Sequence, residues 1–209
     1  MTPEQQHQIE KCYADYCEII KPLIAQIEAS SEKLPLPLFN EIRAFNDHIA
    51  RCYYNSPAED YIAEQIDKAQ RHITRITLDC FKCLNVILYQ KIELFERQTR
   101  NVDLTVIDNG TFFPDYSRMK VQAASLVEQA KILEFQDVDK ALYKYQGSFN
   151  LYSDIVSRIN SITEKVKWAR VRFRVKRCTT VIAWIASVVI SAIISAIFSC
   201  KLISTLIGE

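Results

Sequence analysis

The strongest constraint on this chain is a run of 23 residues without a charge, CTTVIAWIASVVISAIISAIFSC, at 178–200. At about 1.5 Å per residue it makes roughly 35 Å of helix, enough to cross a hydrocarbon core about 30 Å thick. A buried helix of a water-soluble bundle is the competing assignment, but such helices normally keep a polar edge. Trp184 stands near one end of the run, where interfacial aromatic residues sit. Residues 165–177, KVKWARVRFRVKR, come immediately before it. They carry seven positive charges and no negative one: Lys165, Lys167, Arg170, Arg172, Arg174, Lys176 and Arg177. Residues 1–164 are acidic, with 18 Lys and Arg against 24 Asp and Glu.

The formal net charge of +1 therefore hides a segregation into acidic body, basic collar and apolar span. This order predicts a single-pass membrane protein: a body at 1–164, a juxtamembrane collar at 165–177, a transmembrane helix at 178–200 and a short tail at 201–209. The positive-inside rule places the body in the cytoplasm. The opening MTPEQQHQIEKC has no apolar h-region, so no secretory signal is expected and the span is expected to act as a C-terminal anchor.

The three glycines, Gly110, Gly147 and Gly208, lie far apart. Dinucleotide fingerprints, P-loops and nucleophile elbows need clustered glycines, so those chemistries are excluded. Multi-hairpin β folds are disfavoured for want of turn glycines. No proline follows Pro114. The expected class is all-α: an antiparallel helical bundle continuing into the membrane helix.

Apolar periodicity marks the helices. A stripe of Ile9, Tyr13, Tyr16, Ile20, Leu23 and Ile27 predicts a helix over 4–30, kinked or divided by Pro22. Leu38, Ile42, Phe45, Ile49 and Cys52 predict the next. Ser56 is placed to cap a long helix over about 58–98, with Pro57 at its first position. Its stripe is Ile62, Ile66, Ala69, Ile73, Ile76, Cys80, Cys83 and Ile87. Residues 99–115 read as an ordered loop. Met119, Ala123, Leu126, Val127, Ala130 and Leu133 predict a helix after Pro114. Val138, Leu142, Tyr145, Phe149, Tyr152, Val156, Ile159, Ile162 and Val166 predict one more, running unbroken through the collar into the span.

Within the span, Ala183, Ser187, Ser191, Ser195 and Ser199 recur every four residues, with Ala192, Ala196 and Cys200 alongside. Small residues on such ridges let helix backbones approach closely. This spacing predicts self-association and is compatible with an oligomeric pore lined by serine hydroxyls. Tolerance of serine in membrane helices explains it without either.

Cys80 and Cys83 form a CxxC, but both fall on the apolar stripe, where thiols pack as small hydrophobes. No metal site and no cofactor is expected. His72 is expected to be solvated. His48 follows Arg43 with four residues between them. An arginine and a histidine on one helix can address a phosphodiester, the arginine countering charge on the phosphorane and the histidine moving the 2′-hydroxyl proton. The plainer account is an Arg43–Asp47 ion pair one helical turn apart and a surface histidine.

An R-x4-H motif on an internal helix of an all-α body resembles the HEPN superfamily. Joined to one membrane helix in about 200 residues, it resembles the small membrane accessory proteins found beside type VI-B CRISPR effectors. That resemblance implies a divergent HEPN domain in a bacterial inner membrane, assembling into an oligomeric pore that strengthens antiviral defence. It marks Arg43 and His48 as the matching positions. Ala44 stands where active members often carry a polar residue. The expected partners are membrane lipid, further copies of the chain and an RNA-guided CRISPR effector. RNA binding is the open alternative, and the acidic body weighs against it. Two further functions compete with the pore: a tail-anchored adaptor recruiting a cytosolic partner, and a membrane-tethered HEPN ribonuclease using Arg43 and His48.

Overall fold

A computed structural model of the chain describes residues 1–31, 35–55 and 57–207, with side chains described as far as Ala196. The Ser56 cap, Gly208 and the side chains of Ser199 and Cys200 lie outside the described residues. Everything described is helix, turn or loop, with no strand among the described residues. The order is α1 (Pro3–Asp15), a π-helical turn (Tyr16–Ile20), α2 (Lys21–Ser31), α3 (Leu36–Tyr53), α4 (Glu59–Thr99), a 3₁₀ segment (Leu104–Gly110), α5 (Phe112–Leu133), α6 (Val138–Ser161) and α7 (Thr163–Ile207).

The interruption expected at Pro22 takes the form of the π turn just before it. Proline has no N–H to donate to the carbonyl four residues back, and its ring crowds that carbonyl. The chain widens by one residue instead, and Lys21 N–H reaches back to the Tyr16 carbonyl. The α1 helix opens with a reciprocal cap, Thr2 and Gln5 each bonding the other's backbone N–H.

The chain divides into two compact units. The first, residues 1–97 and 114–161, is the bundle. Its core takes Ile9, Cys12, Ile20, Leu23 and Ile27 from the first helical stretch and Leu38, Phe45, Ile49 and Cys52 from α3. From α4 it takes Ile62, Ile66, Ala69, Ile73, Ile76, Cys80 and Ile87. The α4 stripe is thus buried as its spacing predicts, with Cys83 half-buried at its edge. On α6 the buried line runs through Ala141, Tyr145, Ser148, Tyr152 and Ile155. Ser148 Oγ donates to the Ala123 carbonyl at 2.9 Å, and a Cβ on Gly147 would stand 3.4 Å from Leu126 Cδ1. Here α5 and α6 approach closely.

Two carboxylates clamp the bundle. Glu134 accepts from Tyr145 Oη at 2.5 Å and from Lys82 Nζ at 2.6 Å. Glu96 accepts from Tyr116 Oη at 2.7 Å and Lys120 Nζ at 2.6 Å. Burial alone pushes each carboxyl up, but the hydrogen bonds from the lysine and the tyrosine outweigh it, and both end below the ordinary value. A carboxylate lowered in the folded state stabilises the fold above its unfolded pKa, near 4.5, and that contribution is lost as pH falls through the folded value. Chemical denaturation followed from neutral pH downward should therefore show stability falling below about pH 4.5. Glu134→Gln should be less stable at pH 7 and lose less on acidification.

The second unit holds residues 98–113 and 162–209. Within it, Ile107 is buried, as are Ile162, Val166 and Ala169 at the start of α7. The loop turns sharply through three successive left-handed residues, Asp108, Asn109 and Gly110, at φ 52°, 55° and 89°. The middle of this run suits asparagine and the end suits glycine. Thr111 N–H and Oγ1 both donate to the Asp108 carbonyl, holding the turn.

One expectation needs correction. The helix beginning at Val138 does not run unbroken into the collar: α6 stops at Ser161, Ile162 is a turn residue, and α7 begins at Thr163. Neither proline nor glycine causes the stop. Ser161 Oγ donates to the Arg158 carbonyl at 2.8 Å, and the next helix opens with the Val166 N–H donating to the Ile162 carbonyl at 2.9 Å. From Thr163 onward the collar and the apolar run share one continuous helix.

Candidate functional site

The α7 helix is the first candidate. Its described part, Thr163–Ala196, is the one helix among the described residues long and apolar enough to cross a membrane. A core helix of a soluble bundle would be covered by its neighbours. Here every residue from Arg174 to Ala196 is exposed, including Val181, Ile185, Val189, Ile190 and Ile193. So long an uncovered apolar surface marks a membrane or protein contact.

The small-residue ridge lies in this exposed stretch. Ser187 Oγ donates to the Trp184 carbonyl and Ser191 Oγ to the Ser187 carbonyl, each at 2.8 Å. Those hydroxyls are satisfied by their own helix, so neither needs water or a partner to be stable in hydrocarbon. Ala183 and Ser195 are exposed on the same helix.

The collar cations differ in what they meet. Lys165 pairs with Asp108, Lys167 with Glu164 at 2.6 Å, and Arg170 donates to the Gln98 carbonyl at 3.0 Å. Arg172 lies over the Trp168 ring, 5.2 Å from its centre. Arg174, Lys176 and Arg177 are exposed.

The second candidate is the α3–α4 contact, which carries His48. His48 Nδ1 lies 2.8 Å from Gln65 Oε1, and His72 Nδ1 lies 2.6 Å from Glu41 Oε2. The two imidazoles stack at 5.2 Å between centres and 21° between planes. Each Nδ1 thus meets a side-chain oxygen across the α3–α4 contact, which fixes the orientation of both rings. His72 is therefore half-buried and paired, not solvated. Gln65, at 2% exposure, is the buried partner that orients His48.

Arg43 does not join this cluster. Five residues advance a helix by about 500°, so Arg43 and His48 are roughly 140° apart around α3. Arg43 is exposed and makes no ion pair among the described residues, so the Arg43–Asp47 pair is not formed either. The cluster was missed from the sequence, yet a signal existed. Glu41 and His48 are seven residues apart on α3, as are Gln65 and His72 on α4, so each pair shares a helix face. Antiparallel packing then matches Glu41 to His72 and His48 to Gln65.

Cys12, Cys52 and Cys80 are buried, and Cys17 and Cys178 are exposed. Burial, with smaller contributions from Cys83 and Asp79, pushes the Cys80 thiol up to about 12, so the CxxC holds no ready thiolate. No group of three or more His, Cys, Asp or Glu is placed to hold a metal among the described residues. In a Cys200→Ser background in detergent, maleimide should label Cys17 and Cys178 promptly. Cys12, Cys52 and Cys80 should react at least about a hundredfold more slowly until denaturant is added, because they need an opening event. Mass spectrometry of the labelled peptides reads this directly.

No protein-family model, curated protein or solved structure matches the chain.

Proposed function

We propose that the chain is a single-pass membrane protein whose helical body works at the cytoplasmic face, and that it self-associates through α7 as an accessory effector. The observation that carries this reading is the uncovered, uncharged stretch of α7 directly following the basic collar. The R-x4-H helix adds a resemblance to a divergent HEPN domain, and with it a role beside an RNA-guided CRISPR effector in bacterial antiviral defence.

Two variants of the reading divide on one measurement. In a pore, Ser187, Ser191 and Ser195 face water in an oligomer, and purified chain releases dye from liposomes. Ser191→Leu and Ser195→Leu should then reduce the release. In an adaptor, the span anchors the body and a partner protein binds it. The hydroxyl bonds of Ser187 and Ser191 to their own helix are compatible with both, since a serine bonded this way keeps its oxygen lone pairs for water. A verified oligomer that releases no dye eliminates the pore. Protease digestion of the body from the outside of right-side-out vesicles refutes the topology.

A membrane-tethered ribonuclease has one supporting observation, the half-buried imidazole of His48 oriented by Gln65. Against it stand the turn of about 140° separating Arg43 from His48 and the acidic body. RNA cleavage by the chain that is unchanged in Arg43→Ala and His48→Ala would remove both residues from any such mechanism.

A further inference from the structure

The seven collar cations do not present one basic surface. At 100° per residue, Lys165, Arg172 and Lys176 fall within about 40° of one another, while Arg174 and Arg177 lie roughly 120–180° from the centre of that group. The first face meets the 98–113 loop of the same unit. Lys165 pairs with Asp108. The Asp103 carboxylate is held below its ordinary range, first by hydrogen bonds from Thr105 and then by the charges of Lys176 and Arg172. Lys167 and Arg170 are taken by Glu164 and by the Gln98 carbonyl. The side chains of Arg174, Lys176 and Arg177 are exposed and have no hydrogen-bond or ion-pair partner among the described residues.

Depth along the helix sorts the cations by a second rule. Along α7, Lys165 stands about 20 Å and Arg170 about 12 Å before the apolar run begins at Cys178, whereas Arg174 is about 6 Å, Lys176 about 3 Å and Arg177 about 1.5 Å before it. The screening length at physiological salt is about 8 Å. The far cations therefore contribute little at a lipid surface, even before their protein partners are counted.

We propose that Arg174, Lys176 and Arg177 are the contact edge for an anionic phospholipid surface, and that the farther cations Lys165 and Arg170 serve the protein instead, seating α7 on the 98–113 loop through Asp108 and the Gln98 carbonyl. The collar then has two functions. Its far part seats α7 in the loop, and its near part selects lipid. This rests on the membrane reading above, so insertion is measured separately.

The full chain is reconstituted into phosphatidylcholine nanodiscs carrying a trace of dansyl-labelled lipid, with carbonate extraction of vesicles as the check on insertion. Energy transfer from the native tryptophans then reports labelled phosphatidylglycerol against labelled phosphatidylcholine around the helix. The wild type should prefer phosphatidylglycerol. Arg174→Gln with Arg177→Gln should cut that preference by about twenty-five-fold, since each near-surface cation contributes a factor of about five. Lys165→Gln with Lys167→Gln and Arg170→Gln should leave it within about twofold. An inserted double variant that keeps its preference overturns the lipid edge, and so does a triple variant that loses it. Loss of the wild type to the carbonate supernatant overturns the membrane reading itself.

Discussion

Replacing Phe45 with alanine should cost the bundle about 3–5 kcal/mol, the usual range for emptying a large aromatic site in a core. Most of the stability of a domain this size is of that order, so thermal unfolding should move down by many degrees or cease to be cooperative. Phe45 is 0% exposed. It packs edge-on to Tyr13 at 5.5 Å and stacks with Tyr16 at 5.8 Å, tying α3 to the first helical stretch at the π turn. The same helix carries Arg43 and His48, and their neighbours decide how mutants there are read. Arg43→Ala removes an exposed side chain and should change stability by no more than about 0.5 kcal/mol. His48→Ala leaves Gln65 Oε1 buried without its partner, at about 1–3 kcal/mol. A functional loss in Arg43→Ala at unchanged melting temperature is thus evidence about function. The same loss in His48→Ala is not, unless circular dichroism shows the bundle intact.

How far the fold is readable from the sequence depends on what holds each part. The α4 stripe from Ile62 to Ile87 is legible because a long amphipathic helix repeats one local rule many times. The collar and the apolar run are legible because charge segregation needs no tertiary information. The stop at Ile162 is hidden, since neither proline nor glycine marks it, and the Ser161 hydroxyl bond beside it is of a kind that unbroken α7 also makes at Ser187. Near Pro22 the period itself shifts. The buried line runs through Cys12 and not Tyr13, and the extra residue of the π turn brings Ile20 back inside. The His48–Gln65 and Glu41–His72 pairs needed the antiparallel register of α3 on α4. The matching seven-residue spacings hint at that register, but spacing alone does not choose it over another. Arg43 and His48, grouped by motif, are separated by the helix geometry that the motif's own spacing implies.

Val189→Arg should abolish membrane integration while leaving the bundle's melting unchanged. Val189 is the midpoint of the 178–200 run, eleven residues from either end. A cation there cannot reach either interface cheaply and costs about 2.5–3.5 kcal/mol at a helix centre on the insertion scale, which shifts the insertion equilibrium by roughly a hundredfold. In water the same substitution at a side chain half-open to solvent, with 50% exposure, should cost no more than about 0.5 kcal/mol. The two solvents thus predict opposite outcomes for one residue. Thr179→Arg is the control. It adds the same charge one helical turn or less from Arg177 and Lys176, where the guanidinium can snorkel into the headgroups, and the protein should stay in the carbonate-resistant pellet. If Val189→Arg pellets as the wild type does, the uncovered face of α7 is not in hydrocarbon. It must then be covered by protein, and the basic collar would have to be reassigned to that interface.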